Sequence, residues 1–312
     1  MNTTDRRFLI KEVGRELFRL LFEQHPSLFN GYHRARGKVT QPQKVHLVFE
    51  TPRDLVGLPL EFLFSESDGD YLVLLHPMVR QIQGVETRRE PLSPEFIRRL
   101  ISSGSKLRIL LLASNTEPRI DLIDETGREL ADLLSSVEWI DLTYIETKDA
   151  VHSTVEEVLR SCKHHIVQYI GHGTFHKASP ERSSMFFWEN SDRSGKVKAI
   201  SGNHLRYLLE DSDTRLFHLT CCEGAKTGDI TDLLDDDYLG IADGIIQSGV
   251  PSVLGYRWPV PAVSAQVITL AFYRSLIKYG SPELAVLDAR RELAGHEKDD
   301  LTWASPILIV QG

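Results

Sequence analysis

Two stretches of the sequence decide the fold: residues 166–173, IVQYIGHG, and residues 216–224, LFHLTCCEG. Each starts with a mostly apolar run and ends in small or chemically reactive residues. Such runs are typical of strands in a parallel sheet that helices cover on both faces. In open α/β sheets the reactive groups lie at the carboxyl ends of the strands. We therefore expect two neighbouring strands, Ile166–Ile170 and Leu216–Cys221, one leading to a histidine and the other to a cysteine.

The alternation of strand and helix continues on both sides of these stretches. Four more apolar runs predict strands: Ile109–Ala113, Trp139–Ile145, Ser252–Tyr256 and Pro306–Val310. Amphipathic segments predict helices: one ending near Val137, one opened by Ser153 or Thr154, one after Ser201, and those at Tyr238–Gln247, Val263–Lys278 and Pro282–Ala294. Strands that alternate with helices in this way predict a doubly wound α/β core.

The N-terminal region has a different rhythm. Apolar residues three or four apart between Phe8 and Leu21 predict a helix, and the polar, glycine-containing stretch Asn30–Gln43 predicts a linker or long loop. The segments Val45–Phe49, Leu60–Phe64 and Tyr71–Leu75 predict short strands or strand-helix pieces. We expect these segments to form a separate N-terminal subregion.

Composition and charge narrow the class of protein. With 36 Lys and Arg against 44 Asp and Glu, the net charge is −8, which argues against direct binding to nucleic acid. No apolar run approaches the ~18 residues that cross a bilayer, and charges near the start interrupt any signal-peptide core. The three cysteines, Cys162, Cys221 and Cys222, cannot form a disulfide framework. We expect a cytoplasmic protein without membrane contact.

The two predicted strand ends offer a base and a thiol. Glycines on both sides of His172 remove side-chain bulk, so a substrate backbone can approach the imidazole. A thiol has a pKa near 8.5, and a neighbouring imidazole increases its thiolate fraction and can protonate a leaving amine. We expect Cys222 to be the nucleophile, with the backbone amides of Gly173 and Cys222 facing the oxyanion. The alternatives are a turn histidine and a small buried cysteine.

The order and spacing of these residues lead to a resemblance. Cys222 follows His172 by 50 residues (222 − 172), and caspases place their histidine about 50 residues before the cysteine. From roughly residue 43 to its end, the sequence resembles the CHAT-domain family of caspase-like cysteine peptidases, of the same clan as separases. The matching segments are 57–63 (GLPLEFL), 169–173 (YIGHG), 219–223 (LTCCE), 249–253 (GVPSV), 258–260 (WPV) and 303–312.

The resemblance implies a fold and a division of the chain. It implies a caspase-like α/β/α sandwich with a mostly parallel central sheet, in which an N-terminal half without the dyad supports the C-terminal half. Residues 1–42 would be an N-terminal helix and linker, 43–145 the pseudo-peptidase half, and 146–312 the catalytic half. The family pattern places the nucleophile on Cys222, makes Cys221 the last strand residue, and requires no cofactor.

The resemblance also implies a mode of action. Relatives in bacteria carry out limited, regulated proteolysis of a specific partner protein, often in antiviral or cell-death systems. We expect a protein substrate, encoded nearby, and a separate activating sensor or partner protein, since residues 1–42 are too few for a sensor domain. The polar loops 174–198 and 223–237 are candidates for ordering or self-cleavage on activation. The alternative is a non-catalytic CHAT-like scaffold that binds a partner.

Four residues are candidates for the substrate pocket: Thr220, Glu223, Asp236 and Trp258. Arginine- or lysine-directed clan members carry an acidic residue two positions before the nucleophile, where this chain has Thr220. We therefore expect a small or apolar side chain at the substrate position preceding the cleaved bond. Trp258 is either a core residue or a wall of the groove.

Two polar groups raise the question of a metal. The run Asp235–Asp237 is either a solvated turn or a group that attracts a basic residue or calcium. Cys162, His164 and His165 lack the spacing of a structural zinc site. The sequence therefore predicts no bound metal, and we expect Cys162 and Cys221 to serve packing.

Overall fold

The computed structural model describes most of the chain. The described residues are 3–39, 44–52, 55, 57–82, 89–116, 122–161, 163–174, 182–193, 195–221, 239–258, 260–296 and 301–311.

The described residues form thirteen strands. They are β1 (Leu47–Thr51), β2 (Phe64–Ser65), β3 (Asp70–Tyr71), β4 (Met78–Ile82), β5 (Leu107–Ser114), β6 (Ile140–Ile145), β7 (Ile166–Gly171), β8 (Gly173–Thr174), β9 (Ser184–Trp188), β10 (Val197–Ser201), β11 (Leu216–Cys221), β12 (Ser252–Tyr256) and β13 (Pro306–Gln311).

Helices separate most of these strands. They are α1 (Thr3–Phe18), α2 (Pro26–Lys38), α3 (Leu72–Leu75), α4 (Pro94–Ser102), α5 (Leu122–Ser135), α6 (His152–Arg160), α7 (Gly202–Leu209), α8 (Leu239–Gln247), α9 (Ala262–Tyr279) and α10 (Pro282–His296). The described residues also include a π-helical turn at Arg19–Glu23 and short 3-10 turns at Leu60–Phe62 and Thr302–Ala304. Among the described residues, no helix has the length and apolar character that spanning a bilayer requires.

Eight strands form one central sheet in the order β1-β4-β13-β12-β11-β7-β5-β6. Neighbouring strands are parallel except for β12 and β13, which run antiparallel. Every residue of β7, β11 and β12 is buried, as expected for strands that helices cover on both faces. The predicted strands at 109–113, 166–170, 216–221, 252–256 and 306–310 and the mostly parallel α/β architecture are therefore confirmed.

Two apolar clusters lie on opposite faces of this sheet. One includes side chains of α1, α5, α9 and α10, such as Phe18, Leu130 and Phe272. The other includes side chains of α6, α7 and α8, such as Leu159 and Leu205. Along β11, Leu216 faces the first cluster, whereas Phe217, Leu219 and Cys221 face the second. This alternation gives the sheet a helical layer on each face.

The N-terminal region differs from its sequence prediction. The stretch Asn30–Gln43, predicted as a linker or long loop, is helical through Lys38, because α2 starts at Pro26 and continues through it. Tyr32 in the middle of α2 is buried and packs edge-on against Phe18 and Phe22. These ring contacts outweigh the weak helix propensity of the glycines in this stretch.

Two other features differ from a simple reading of the sequence. The segment 174–198, predicted as one long polar loop, contributes β9 and the start of β10 to a three-stranded antiparallel sheet, β10-β9-β8. In the central sheet, β5 lies between β7 and β6, and neither β5 nor β6 pairs with β1 or β4. The eight-stranded sheet includes strands from both sides of residue 145, and the division of the chain there stays a prediction.

Candidate active site

Three strands of the central sheet end side by side. Gly171, the last residue of β7, pairs with Ser114 of β5 on one side and with Cys221 of β11 on the other. Neighbouring strands lie about 4.8 Å apart. The strand that leads to His172 and the strand that leads to Cys222 therefore end at the same level of one sheet edge.

The backbone at His172 is held firmly. Its carbonyl accepts hydrogen bonds from the Tyr169 hydroxyl at 2.7 Å and from the Phe186 amide at 3.0 Å. The carbonyl of Phe186 in turn accepts a bond from the Ser114 hydroxyl at 2.8 Å. His172 itself is 5% exposed. Strands β5, β7 and β9 thus fix the position at which the imidazole leaves the backbone.

The glycines beside His172 are required by packing. A Cβ atom at Gly171 would lie 2.6 Å from Cζ of Tyr169 and 2.8 Å from the carbonyl oxygen of Ser114. A Cβ atom at Gly173 would lie 3.0 Å from the carbonyl oxygen of Ser184 and 3.2 Å from Sγ of Cys221. Gly171 therefore makes room for the tyrosine that holds His172, and Gly173 makes room for the end of β11.

Of the two adjacent cysteines, only Cys221 belongs to the residues that the structure describes. Cys221 is the last residue of β11, as predicted, and it is buried on the face covered by α6, α7 and α8. Its sulfur lies against Gly173, at the start of β8. Cys222, predicted as the nucleophile, lies outside the described residues, as do the pocket candidates Glu223 and Asp236 and the third cysteine, Cys162.

A set of polar side chains lies on the opposite face of the same two strands. We call it the buried polar cluster, and its members are Gln168, His218, Thr220, Thr269 and Tyr273. Thr220 accepts a hydrogen bond from Nε2 of Gln168 at 3.0 Å, and its oxygen lies 3.2 Å from that of Thr269. The pocket candidate Thr220 is thus engaged with protein groups and is only 1% exposed.

The histidine of the buried polar cluster is uncharged. His218 is fully buried and contacts the rings of Phe272 and Tyr273, with centroids 5.0 and 6.0 Å away. Burial lowers the pKa of His218 to about 3, so its imidazole is neutral at physiological pH. Burial also raises the pKa of Tyr273, which keeps its hydroxyl protonated. The cluster is therefore polar without carrying a charge.

Trp258 follows β12 at the same edge of the sheet and is half-buried. Its ring stacks on Phe62 with centroids 5.9 Å apart. The preceding Arg257 donates to the carbonyls of Gly57 and Leu58, the latter at 2.9 Å. The segment that begins at Gly57 thus packs beneath Trp258.

A buried ion pair anchors that segment. Nε of Arg80 donates to Oε1 of Glu61 at 3.1 Å, and both residues are 1% exposed. Burial opposes ionisation of Glu61, but the nearby guanidinium groups of Arg80 and Arg257 outweigh it, so the pKa of Glu61 is lowered. Glu61 is therefore a buried carboxylate that links β4 to the segment under Trp258.

The sequence did not identify several residues that position this site. Tyr169, Ser114, Gln168 and Thr269 were not singled out. The available signal was the polar residue Gln168 inside an otherwise apolar strand, since a polar side chain at a buried position needs a hydrogen-bond partner. As to metals, no three His, Cys, Asp or Glu side chains within the described ranges converge as a ligand set.

Comparisons with known proteins agree with this architecture. The family model of the CHAT domain matches residues 11–311. No curated protein matches the chain in a sequence search.

Two solved structures are similar to this chain at low sequence identity and with TM-scores below 0.5. The separase–securin complex of Saccharomyces cerevisiae is 15% identical with a TM-score of 0.44, over 93% of this chain and 17% of that chain. The Arg specific cysteine proteinase gingipain R is 11% identical with a TM-score of 0.45, over 75% of this chain and 54% of that chain. The chain thus spans less than two thirds of the length of either protein.

Proposed function

Because the chain belongs to the CHAT domain family, we propose that it is a cysteine endopeptidase with a dyad of His172 and Cys222. The observation that carries the proposal is the register of the two strands that lead to these residues. Gly171 pairs directly with Cys221, so the two strands end together. His172 and Cys222 are the next residues in sequence, one peptide unit beyond a paired position.

Covalent geometry limits how far apart the two groups are. Paired strands lie about 4.8 Å apart, and one peptide unit moves the chain by 3.8 Å between Cα atoms. The backbone of His172 is fixed by Tyr169 and Phe186. These distances are compatible with a hydrogen bond between imidazole and thiol, which needs no third residue to form.

The proposed reaction is acyl transfer. The Cys222 thiolate attacks the carbonyl carbon of the cleaved peptide bond, while the backbone amides of Gly173 and Cys222 stabilise the oxyanion. A C–S bond forms and the C–N bond breaks as His172 gives its proton to the leaving amine. Water then attacks the thioester with His172 as the base, which releases the acid and restores the thiol.

We propose that the substrate is a specific partner protein that is cut at one or a few positions. A substrate encoded beside the protein, a separate activating sensor or partner, a role in antiviral or cell-death defence, and a cytoplasmic location remain parts of this proposal. The proposal also includes a small or apolar substrate side chain at the position before the cleaved bond. No step requires a cofactor, a nucleic acid or a membrane.

The test uses the purified chain and the proteins that neighbouring genes encode. A discrete fragment of one of these proteins should appear with the natural chain and with Cys221→Ala, and should be absent with Cys222→Ala and with His172→Ala. Cys221→Ala is the matched control because it removes a thiol one residue away. Cleavage that survives Cys222→Ala would disprove the dyad, and a partner that binds all four proteins uncut would favour a scaffold.

A further inference from the structure

The buried polar cluster lies directly behind the two strand ends. Gln168 precedes His172 by four residues on β7, and Thr220 precedes Cys222 by two residues on β11. Both side chains point to the face covered by α9, where Thr269 meets Thr220. Gln168, Thr220 and Thr269 are each at most 1% exposed. Three elements therefore meet at one hydroxyl group just before the proposed dyad.

The two hydrogen bonds that Gln168 makes in this junction have a defined direction. Nε2 of Gln168 donates to the carbonyl of Tyr169 at 2.9 Å and to the Thr220 hydroxyl at 3.0 Å. A carbonyl only accepts, so the amide group must present its nitrogen to these two partners. Both amide hydrogens are then used, and the Thr220 oxygen accepts one of them. The Thr220 and Thr269 hydroxyls, 3.2 Å apart, bond each other with either one as the donor.

The bond between Gln168 and Thr220 crosses from one strand to the other. In register, Gln168 pairs with His218 and Thr220 pairs with Ile170, so the side-chain bond runs diagonally between β7 and β11. The contact between Thr220 and Thr269 then attaches β11 to α9. A buried hydrogen bond that is lost leaves a polar group unsatisfied, so the junction resists sliding of either strand.

We propose that Thr220 is a positioning residue that holds the end of β11, and with it Cys222, at a fixed place relative to His172. This inference rests on the proposed dyad. The junction acts through position and not through charge, because Gln168 and Thr269 are uncharged and burial keeps the neighbouring His218 neutral. Displacement of a reacting group by about 1 Å can lower a rate by up to about 100-fold.

The test measures the reactivity of Cys222 against pH. The chain is treated with iodoacetamide between about pH 5.5 and 9, and tandem mass spectrometry assigns the label to Cys221 or Cys222. A thiol paired with an imidazole reacts with iodoacetamide at pH values well below 8.5, which is the ordinary pKa of a thiol. Thr220→Val removes the hydroxyl and keeps the shape of the side chain. We expect it to slow labelling of Cys222 at neutral pH by about tenfold and to move the profile toward that of His172→Ala.

Two further variants separate positioning from general loosening. Thr220→Ser restores the hydroxyl and should label within about twofold of the natural chain. Thr214→Val is the matched control: Thr214 is also a buried threonine beside β11, at its other end, and its hydroxyl donates to the carbonyl of His164 at 3.1 Å. The Thr214→Val variant should lose about as much stability as Thr220→Val and leave the pH dependence of Cys222 labelling unchanged.

Each result has a distinct meaning. If labelling depends on His172 but Thr220→Val behaves like the natural chain, or like Thr214→Val, the positioning role of Thr220 is wrong and the dyad stands. If the natural chain already labels like His172→Ala, the dyad itself is wrong and this inference fails with it. Should Thr220→Val not fold, Gln168→Leu removes the same cross-strand bond and carries the same expectation.

Discussion

Two tyrosine hydroxyls of this protein differ sharply in their surroundings, and the difference predicts opposite effects of one substitution. The Tyr169 hydroxyl donates to the His172 carbonyl at 2.7 Å. Tyr273 is equally buried, but its hydroxyl has no hydrogen-bond partner among the described residues. Replacing each tyrosine by phenylalanine removes one oxygen atom from a tightly packed site.

The expected magnitudes follow from the contacts. In Tyr169→Phe the His172 carbonyl keeps its bond to the Phe186 amide at 3.0 Å, so no buried carbonyl becomes unsatisfied. The Tyr169 hydroxyl also contacts the carbonyl and the amide of Phe186, at 3.1 and 3.3 Å, and these groups keep Ser114 and His172 as partners. Loss of the hydroxyl contacts and a small void should cost about 1–2 kcal/mol in the free energy of unfolding. Tyr273→Phe removes a hydroxyl whose burial is itself unfavourable, so the protein should gain up to about 1 kcal/mol.

Unfolding in urea, followed by fluorescence, measures both effects under the same conditions. The free energies of unfolding of the two variants should differ by about 1–3 kcal/mol. Iodoacetamide labelling adds a second measurement, since only Tyr169→Phe should change the reactivity of Cys222. Equal free energies of unfolding for the two variants would show that the bond to His172 does not hold that turn.

Three further predictions concern packing, charge and pH. Gly171→Ala should destabilise the protein by about 1–3 kcal/mol because the added Cβ meets backbone and ring atoms. Gly31 lies in a helix and has open space around it, so Gly31→Ala should stabilise the protein by about 0.5–1 kcal/mol. Unfolding in urea measures both effects. Glu61→Gln removes the carboxylate that faces buried Arg80 and should cost about 3–5 kcal/mol, seen as a large fall in the melting temperature; an unchanged melting temperature would contradict a structural role for the pair. The pKa of His218 is about 3 in the folded protein and 6.5 as its ordinary value. As the pH falls, the imidazole is therefore protonated in the unfolded chain before it is protonated in the folded protein. Its contribution to stability is therefore complete above about pH 6.5 and falls by ~1.4 kcal/mol per pH unit below it. Burial also lowers the pKa values of His76 and His165 to about 4, so His218→Gln should reduce the total slope in urea titrations by that amount without abolishing it.

Much of the central sheet could be predicted from the sequence because its strands are short and almost entirely apolar. The predicted strand at Ser252–Tyr256 has the observed bounds, and those at 166–170 and 306–310 each miss one residue. Helix starts were also visible, since Ser201 caps α7 by accepting a bond from the amide of His204. These signals are local, so a single sequence contains them.

The features that sequence reasoning missed depend on partners far away in the chain. Gln168 meets Thr220 and Thr269 only because β7, β11 and α9 come together in the fold. In the same way, α2 is stabilised by ring contacts of Tyr32 with Phe18 and Phe22 rather than by its own propensity. No periodicity in a segment can show which distant side chain will complete its hydrogen bonds or its packing.

The position of β13 in the sheet has a consequence for biosynthesis. This strand joins the β1–β4 pair to the remaining strands, with Arg80 of β4 opposite Ile309. Because β13 follows the other described strands in sequence, β1 and β4 have left the ribosome before the strand that pairs with β4 is made. We expect that nascent chains lacking residues 306–311 leave β4 with an open edge that chaperones or proteases can recognise.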